Sequence, residues 1–181
     1  NAWLMASKGQ MKGQMISRRQ FLRGDFSSHR PTQRPPWAMA EAPFLSQCDG
    51  CGDCRDACTQ RIVVLTDGGY PRIDFLNGEC TFCGDCARAC REGALAYSPR
   101  AAPWQVKAVV MSECLTRRGV VCRSCGEQCA TGAIRFHFVK GGIAQPQVAP
   151  ALCTGCGACF TVCPAQAIAL RDDPVYQVAC A

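Results

Sequence analysis

The stretch Cys48-Asp49-Gly50-Cys51-Gly52-Asp53-Cys54-Arg55-Asp56-Ala57-Cys58 decides the fold of this chain. Its cysteines follow the spacing C-x2-C-x2-C-x3-C, which wraps a cubane iron–sulfur cluster. The fourth cysteine follows about one helical turn after the third, so it points away toward a second cluster. A structural zinc site is the alternative, but zinc normally uses two C-x2-C pairs separated by a dozen or more residues. The spacing therefore favours an iron–sulfur cluster.

This cysteine run recurs three more times along the chain. The second and fourth runs repeat the spacing, and the third has seven residues between its first two cysteines. The four runs use sixteen of the seventeen cysteines, so they predict four [4Fe-4S] clusters. The predicted metal and cofactor ligands are Cys48, Cys51, Cys54, Cys58, Cys80, Cys83, Cys86, Cys90, Cys114, Cys122, Cys125, Cys129, Cys153, Cys156, Cys159 and Cys163.

The composition agrees with a metal-stapled fold. A chain of 181 residues with 17 cysteines could also be a disulfide-rich secreted protein. However, C-x2-C-x2-C spacing places cysteines where they converge on a metal rather than pair with one another. We therefore expect the clusters to act as staples, with their binding energy forming part of the folding energy.

The net charge of +6 does not indicate a nucleic-acid partner. Residues 1–47 contain seven basic and two acidic side chains, which places nearly all of the excess in that segment. Each oxidised cluster with four thiolates adds about −2, which brings the rest of the protein to roughly −7. The expected molecule is an acidic body with a basic tail.

The N-terminal segment resembles an export signal only in part. Residues 1–16 read as a leader outside the fold, and Ser17-Arg18-Arg19-Gln20-Phe21-Leu22-Arg23 is similar to a twin-arginine signal. Charged residues and prolines then occupy the place of the required apolar stretch. We therefore expect a flexible basic tail and a cytoplasmic protein. No stretch approaches 18 apolar residues, so no membrane span is expected.

One supersecondary unit accounts for all four runs. Residues 62–66 and 70–75 flank a glycine-rich break, as do residues 133–139 and 143–148, and both pairs predict β-hairpins. An apolar residue also lies five positions after each fourth cysteine and could cover a cluster face. These residues are Val63, Leu95, Ile134 and Ile168.

Two units form one bacterial-type two-cluster ferredoxin fold. The predicted fold class is α+β, with a leader and tail at 1–44 and two tandem domains at 45–98 and 105–172. The fourth cysteine of each run should bind its neighbour's cluster, although pairing between different halves stays open. The predicted quartets are Cys48, Cys51, Cys54 with Cys90; Cys80, Cys83, Cys86 with Cys58; Cys114, Cys122, Cys125 with Cys163; and Cys153, Cys156, Cys159 with Cys129.

The arrangement resembles the NapF family, ferredoxin-type proteins encoded with periplasmic nitrate reductases. The resemblance covers about residues 17–170 and includes Arg34-Pro35-Pro36-Trp37, Gly69-Tyr70-Pro71, Ser98-Pro99-Arg100 and the stretched third run. It implies a cytoplasmic protein with four [4Fe-4S] clusters. It also implies a partner, the apo form of the catalytic molybdenum subunit, on whose iron–sulfur centre such proteins are thought to act before export.

Three functions follow from these observations. The first is maturation of that catalytic subunit, the second is electron transfer as a carrier or wire subunit, and the third is a structural metal scaffold. No constellation of acid, base and nucleophile appears, so an enzyme is not expected. His29 and His137 read as ordinary histidines, and Cys180 as a free thiol.

Overall fold

The computed structural model describes residues 33–139 and 142–172. The leader, the twin-arginine-like segment, His29 and Cys180 lie outside the described residues. The helices are α1 (Glu41–Gln47), α2 (Asp53–Asp56), α3 (Asp85–Arg88), α4 (Ser124–Glu127) and α5 (Ala158–Thr161), with 3-10 helices at Phe75–Asn77 and Leu115–Arg118. The strands are β1 (Val63–Leu65), β2 (Pro71–Ile73), β3 (Lys107–Val110), β4 (Ile134–Phe138), β5 (Ala144–Val148) and β6 (Ile168–Arg171).

Each of the helices α2 to α5 is a single turn that carries the third cysteine of its run. Before three of them the chain turns through a left-handed glycine, with φ of 88° at Gly52, 82° at Gly84 and 91° at Gly157. Glycine adopts this conformation without a side-chain penalty. The third run has Arg123 at the same place, with φ of −132°, so its chain enters α4 differently.

Both predicted hairpins are present. Strands β1 and β2 pair antiparallel with Val63 opposite Ile73, and β4 pairs with β5 with Ile134 opposite Val148. A third antiparallel ribbon, β3 with β6, was not predicted from the sequence. It joins the first and last segments of the second domain, so the second domain is closed by its own ends.

The position three residues after each fourth cysteine has a left-handed backbone. The φ angles are 54° at Arg61, 72° at Gly93, 62° at Gly132 and 49° at Gln166. In each unit the amide of this residue donates to the carbonyl of the fourth cysteine, as from Gln166 to Cys163 at 3.1 Å. The turn sends the chain from the cysteine into the following strand or extended segment. Two units use glycine for it and two use a residue that must accept the strain.

Part of the predicted flexible tail is packed onto the first domain. From residue 33 onward the chain lies against residues 70–73 and 94–103, and Phe44 is fully buried. The Arg34 guanidinium donates to both carboxylate oxygens of Glu41, at 2.7 and 3.0 Å, and lies 4.7 Å from the centre of the Phe44 ring. The Trp37 indole donates to the carbonyl of Ser98 at 3.0 Å. The chain from residue 33 onward therefore packs on the first domain, where Phe44 lies in the core and Trp37 contacts it.

The two domains pack against one another through aromatic side chains. The ring of Phe75 lies 6.1 Å from Trp104 and 6.4 Å from Phe160, measured between centroids. Phe75 also approaches the backbone so closely that a Cβ at Gly157 would lie 2.1 Å from its ring. The Trp104 indole donates to the carbonyl of Thr154 at 2.7 Å. A glycine at position 157 is thus needed for this close contact between domains as well as for its φ.

Candidate metal centres

The structure brings the sixteen predicted ligands together around four cavities. Each cavity is lined by three cysteines of one run and the fourth cysteine of its neighbour in the same domain. We call them the first site (Cys48, Cys51, Cys54, Cys90), the second site (Cys58, Cys80, Cys83, Cys86), the third site (Cys114, Cys122, Cys125, Cys163) and the fourth site (Cys129, Cys153, Cys156, Cys159). The grouping is thus the crossed arrangement; that these side chains bind metal stays a prediction.

The four apolar residues predicted to cover the clusters are all buried, with exposed fractions of 2–6%. Each lines one cavity: Leu95 the first, Val63 the second, Ile168 the third and Ile134 the fourth. In every case it lies five residues after the cysteine that crosses into that site. The crossing cysteine and its apolar cover therefore arrive together, and water is displaced from one wall of each cavity.

Backbone amides point at the cysteine sulfurs. Each of the four sites contains at least one such bond. The donors and sulfurs are Leu95 to Cys90 Sγ (3.4 Å), Phe82 to Cys80 Sγ (3.4 Å), Ala167 to Cys163 Sγ (3.2 Å) and Ala108 to Cys153 Sγ (3.4 Å). An N–H directed at sulfur stabilises the thiolate, which is the form that binds iron. These amides are therefore suited to ligands that carry negative charge.

The buried cysteines are crowded with other thiols. Burial, followed by the nearby thiols of Cys48 and Cys86, raises the pKa of Cys54 to about 12. Burial and neighbouring cysteines likewise raise the pKa of Cys159 to about 12 and that of Cys125 to about 11. Four thiolates in one apolar cavity need a positive partner, and the iron atoms of a cluster would supply that charge.

Cys129 departs from this pattern. Burial acts to raise its pKa, but hydrogen bonds from the Thr131 hydroxyl and from the backbone of Ala133 and Ile134 hold the pKa of Cys129 below its ordinary value. Its Sγ atom lies 3.6 Å from the Thr131 hydroxyl oxygen. The loop that follows Cys129 therefore favours the thiolate form of this predicted ligand of the fourth site.

Two further hydroxyl groups contact cysteine sulfurs at the third site. The Thr116 hydroxyl lies 3.3 Å from Cys114 Sγ, and the Ser124 hydroxyl lies 3.7 Å from Cys122 Sγ. The sequence reasoning did not identify Thr116, Ser124 or Thr131. The available signal was their position, since each lies two residues after a predicted ligand.

The donor set suits a multi-atom cluster. At each site the four thiols surround a shared cavity, as a cubane with one cysteine on each iron requires. Within each site the residues present fit a [4Fe-4S] group, which would supply one-electron chemistry when bound.

The second and fourth sites meet at the contact between the domains. The amide of Cys80 donates to the carbonyl of Cys156 at 2.7 Å, which joins a predicted ligand of one site to a predicted ligand of the other. The cavity of the fourth site has a volume of about 350 Å³ and continues onto Glu79, Cys80, Thr81 and Phe82 of the first domain. The two cavities are thus neighbours, although they belong to different domains.

Two remaining observations bear on the predicted functions. His137 is an exposed residue of β4 opposite Gln145, away from the four cavities. Among the described residues, no helix has both the length and the apolar character that crossing a bilayer requires.

Comparison with known proteins agrees with this geometry. The family model of a 4Fe-4S dicluster domain matches residues 47–95, and another dicluster model matches residues 120–167. The second match begins after Cys114, so the first cysteine of the stretched run lies outside it. Fold and sites together define an iron–sulfur protein with two tandem 4Fe-4S dicluster ferredoxin domains.

Individual relatives identify the family within this class. The chain is 43% identical over 167 residues to the ferredoxin-type protein NapF of Haemophilus influenzae, covering 87% of this chain and 94% of that protein. It is 41% identical to NapF of Escherichia coli K12, covering 84% and 92%. The methylamine utilization ferredoxin-type protein MauM of Methylophilus methylotrophus is 35% identical, covering 78% and 70%. The chain belongs to the NapF family of ferredoxin-type proteins.

Proposed function

We propose that the protein binds four [4Fe-4S] clusters, one at each of the first to fourth sites, through the crossed cysteine quartets. The observation that carries this proposal is the convergence of four thiols, one buried apolar cover and at least one amide-to-sulfur bond at every cavity. The α+β ferredoxin-like domains are then stapled by the clusters, whose binding contributes to the free energy of folding.

The proposed role of these clusters is the maturation of another protein. Membership of the NapF family supports action on the catalytic molybdenum subunit of periplasmic nitrate reductase, in the cytoplasm and before export. There the protein would assist the assembly of the iron–sulfur centre of that apo subunit. The acidic body and the basic segment before residue 33 would favour an encounter that depends on salt.

One observation favours a second candidate, which is electron transfer to a reductase. The second and fourth sites are joined across the domain contact by the hydrogen bond from Cys80 to Cys156. A continuous series of sites is useful to an electron carrier, whereas a factor that only transfers a cluster needs no such series.

The metal proposal is tested by anaerobic purification with iron and sulfide analysis. We expect about sixteen iron and sixteen acid-labile sulfide per chain, four of each per cubane. Cys90→Ala should remove the cluster of the first site, and Cys180→Ala, outside all four runs, should leave the iron content unchanged. Zinc without charge-transfer absorbance would refute the proposal. If Cys90→Ala instead removes only the cluster bound by Cys80, Cys83 and Cys86, the crossed ligation is wrong.

The choice between maturation and electron transfer is tested in a deletion strain. Under maturation, the exported catalytic subunit should be present but deficient in its cluster, and poorly active even with an artificial electron donor. Full activity with that donor, together with lost activity with the natural one, would leave electron transfer. Binding gives an independent measurement, since a maturation factor should bind the apo subunit more tightly than the finished enzyme.

A further inference from the structure

The third site differs from the others in the residues beside its cysteines. The position before the third cysteine of each run is aspartate in the first two runs, Asp53 and Asp85, and alanine in the fourth, Ala158. In the third run it is Ser124. Thr116, two positions after Cys114, lies in the extra residues that stretch this run. The third site therefore replaces carboxylates with hydroxyl groups.

Both hydroxyls are directed at ligand sulfurs. Thr116 is only 4% exposed, and its oxygen lies 3.3 Å from Cys114 Sγ; the Ser124 oxygen lies 3.7 Å from Cys122 Sγ. A cysteine bound to iron has no proton, so the hydroxyl must be the donor in each contact. Hydrogen bonds to the sulfurs stabilise the reduced, more negative cluster and raise its reduction potential.

Backbone amides reach a ligand sulfur at every site. At the fourth site, backbone hydrogen bonds also act on Cys129. Among the described residues, the hydroxyl-to-sulfur contacts lie in the second domain: two at the third site and one, from Thr131 to Cys129, at the fourth. The third site therefore has the most hydroxyl donors of the four.

The charge carried by each cysteine run changes in the same direction. Counted from the first to the fourth cysteine, the first run has three aspartates and one arginine, a net charge of −2. The second run has one acid and one base, and the fourth has no charged residue. The third run has Arg117, Arg118 and Arg123 against Glu127, a net charge of +2. Positive charge near a cluster also raises its potential.

The spatial order of the sites places these extremes at opposite ends. Helix α2, which carries Cys54 of the first site, contacts α3, which carries Cys86 of the second. The amide of Cys80 of the second site donates to the carbonyl of Cys156 of the fourth. Helix α5, which carries Cys159 of the fourth site, contacts α4, which carries Cys125 of the third. The row is therefore first, second, fourth, third, which differs from the order along the chain.

We propose that Thr116, Ser124 and the arginines of the third run make the third site the most readily reduced of the four. A one-electron donor then loses one electron, and the cluster that gains it, passing from the 2+ to the 1+ state, is the one at the third site. Electrons in the row of sites therefore flow from the first site toward the third. This inference rests on the proposed four clusters. Iron analysis shows whether the clusters are present, and so distinguishes a failure of the cluster proposal from a failure of this inference.

The test is a redox titration of the anaerobically prepared holoprotein with dithionite, followed by EPR. In Thr116→Val, Ser124→Ala and the double variant, the signal that appears first in the wild type should shift to more negative potential, most in the double variant. Thr116→Ser keeps the hydroxyl and should restore the wild-type potential. Thr161→Val is the matched control, because that hydroxyl donates to the carbonyl of Gly157, at 3.2 Å, and not to sulfur.

Charge is tested separately through Arg117→Gln with Arg118→Gln, which should shift the same signal in the same direction and lose this effect at high salt. An unchanged first signal in the double hydroxyl variant, with all sixteen iron present, would overturn the inference while the cluster proposal stands. A shift confined to a later EPR signal, with the first signal unchanged, would overturn it as well. If Thr116→Val loses iron, Ser124→Ala decides the outcome.

Discussion

Replacing Gln166 with glycine should stabilise the protein, because this exposed residue has a left-handed backbone with φ of 49°. That conformation costs a residue with a side chain about 1–2 kcal/mol. Glycine avoids the strain, but its greater freedom in the unfolded chain destabilises the folded protein by about 0.4–1 kcal/mol. The expected net gain is about 0.5–1 kcal/mol. The hydrogen bond from the amide of residue 166 to Cys163 is retained, since it involves only the backbone.

Gly132→Ala is the matched opposite change. Position 132 is equivalent to position 166, its φ is 62°, and a Cβ there would meet no atom within 4 Å. Gly132→Ala should therefore lower the free energy of unfolding by about 1 kcal/mol through backbone strain alone. The assay is anaerobic thermal unfolding of the holoprotein at one scan rate, followed by visible absorbance, with iron content checked first.

For a chain of this size, 1 kcal/mol corresponds to roughly 2–4 °C in the midpoint. We expect Gln166→Gly to raise the midpoint and Gly132→Ala to lower it. Two variants that both leave it unchanged would refute the left-handed turn after the fourth cysteine. A lower midpoint for Gln166→Gly would show that the side chain contributes more than the strain costs.

Three further outcomes are expected. Phe75→Ala should destabilise the holoprotein by about 3–5 kcal/mol, because it empties the contact between the domains; equal melting of variant and wild type would contradict that packing. Deleting residues 1–32 should leave iron content and melting unchanged, whereas a deletion extended to residue 47 should lose iron from the first domain; identical iron contents for the two deletions would argue against the packed segment. Thr66→Val should be neutral or stabilising by about 1 kcal/mol in thermal unfolding, since the buried Thr66 hydroxyl has no hydrogen-bond partner in the part of the chain that the structure describes; a clear loss of stability would reveal a partner.

The sequence predicted features that depend on local spacing. Repetition of the cysteine runs led to the two hairpins, to the four buried apolar residues such as Leu95, and to the crossed quartets that the structure assembles. These features follow from short-range periodicity, because one unit of the fold contains both the ligand and its cover. The binding of metal by the quartets stays a prediction.

Other features depend on contacts between distant segments. The β3–β6 ribbon pairs Lys107 with Arg171, and no local pattern indicates which distant strand will be the partner. The sequence analysis placed residues 33–44 in the tail because they are rich in proline and precede the first cysteine. In the structure, however, Arg34 is held by Glu41 and the ring of Phe44. The left-handed residues Arg61 and Gln166 were also missed, since only two of the four equivalent positions carry the expected glycine.

The crossed quartets have a consequence for the order in which the protein is made. On the ribosome, the first site has only three of its cysteines until Cys90 has been synthesised, and the third site is incomplete until Cys163. The thiols of an incomplete site can bind the wrong metal, and they can be oxidised. Iron should therefore enter each domain only after that domain has been synthesised in full, and both of its clusters should arrive within one folding event. Loading is thus expected in two steps, one for each domain, and the first domain can take up iron while the second is still being synthesised.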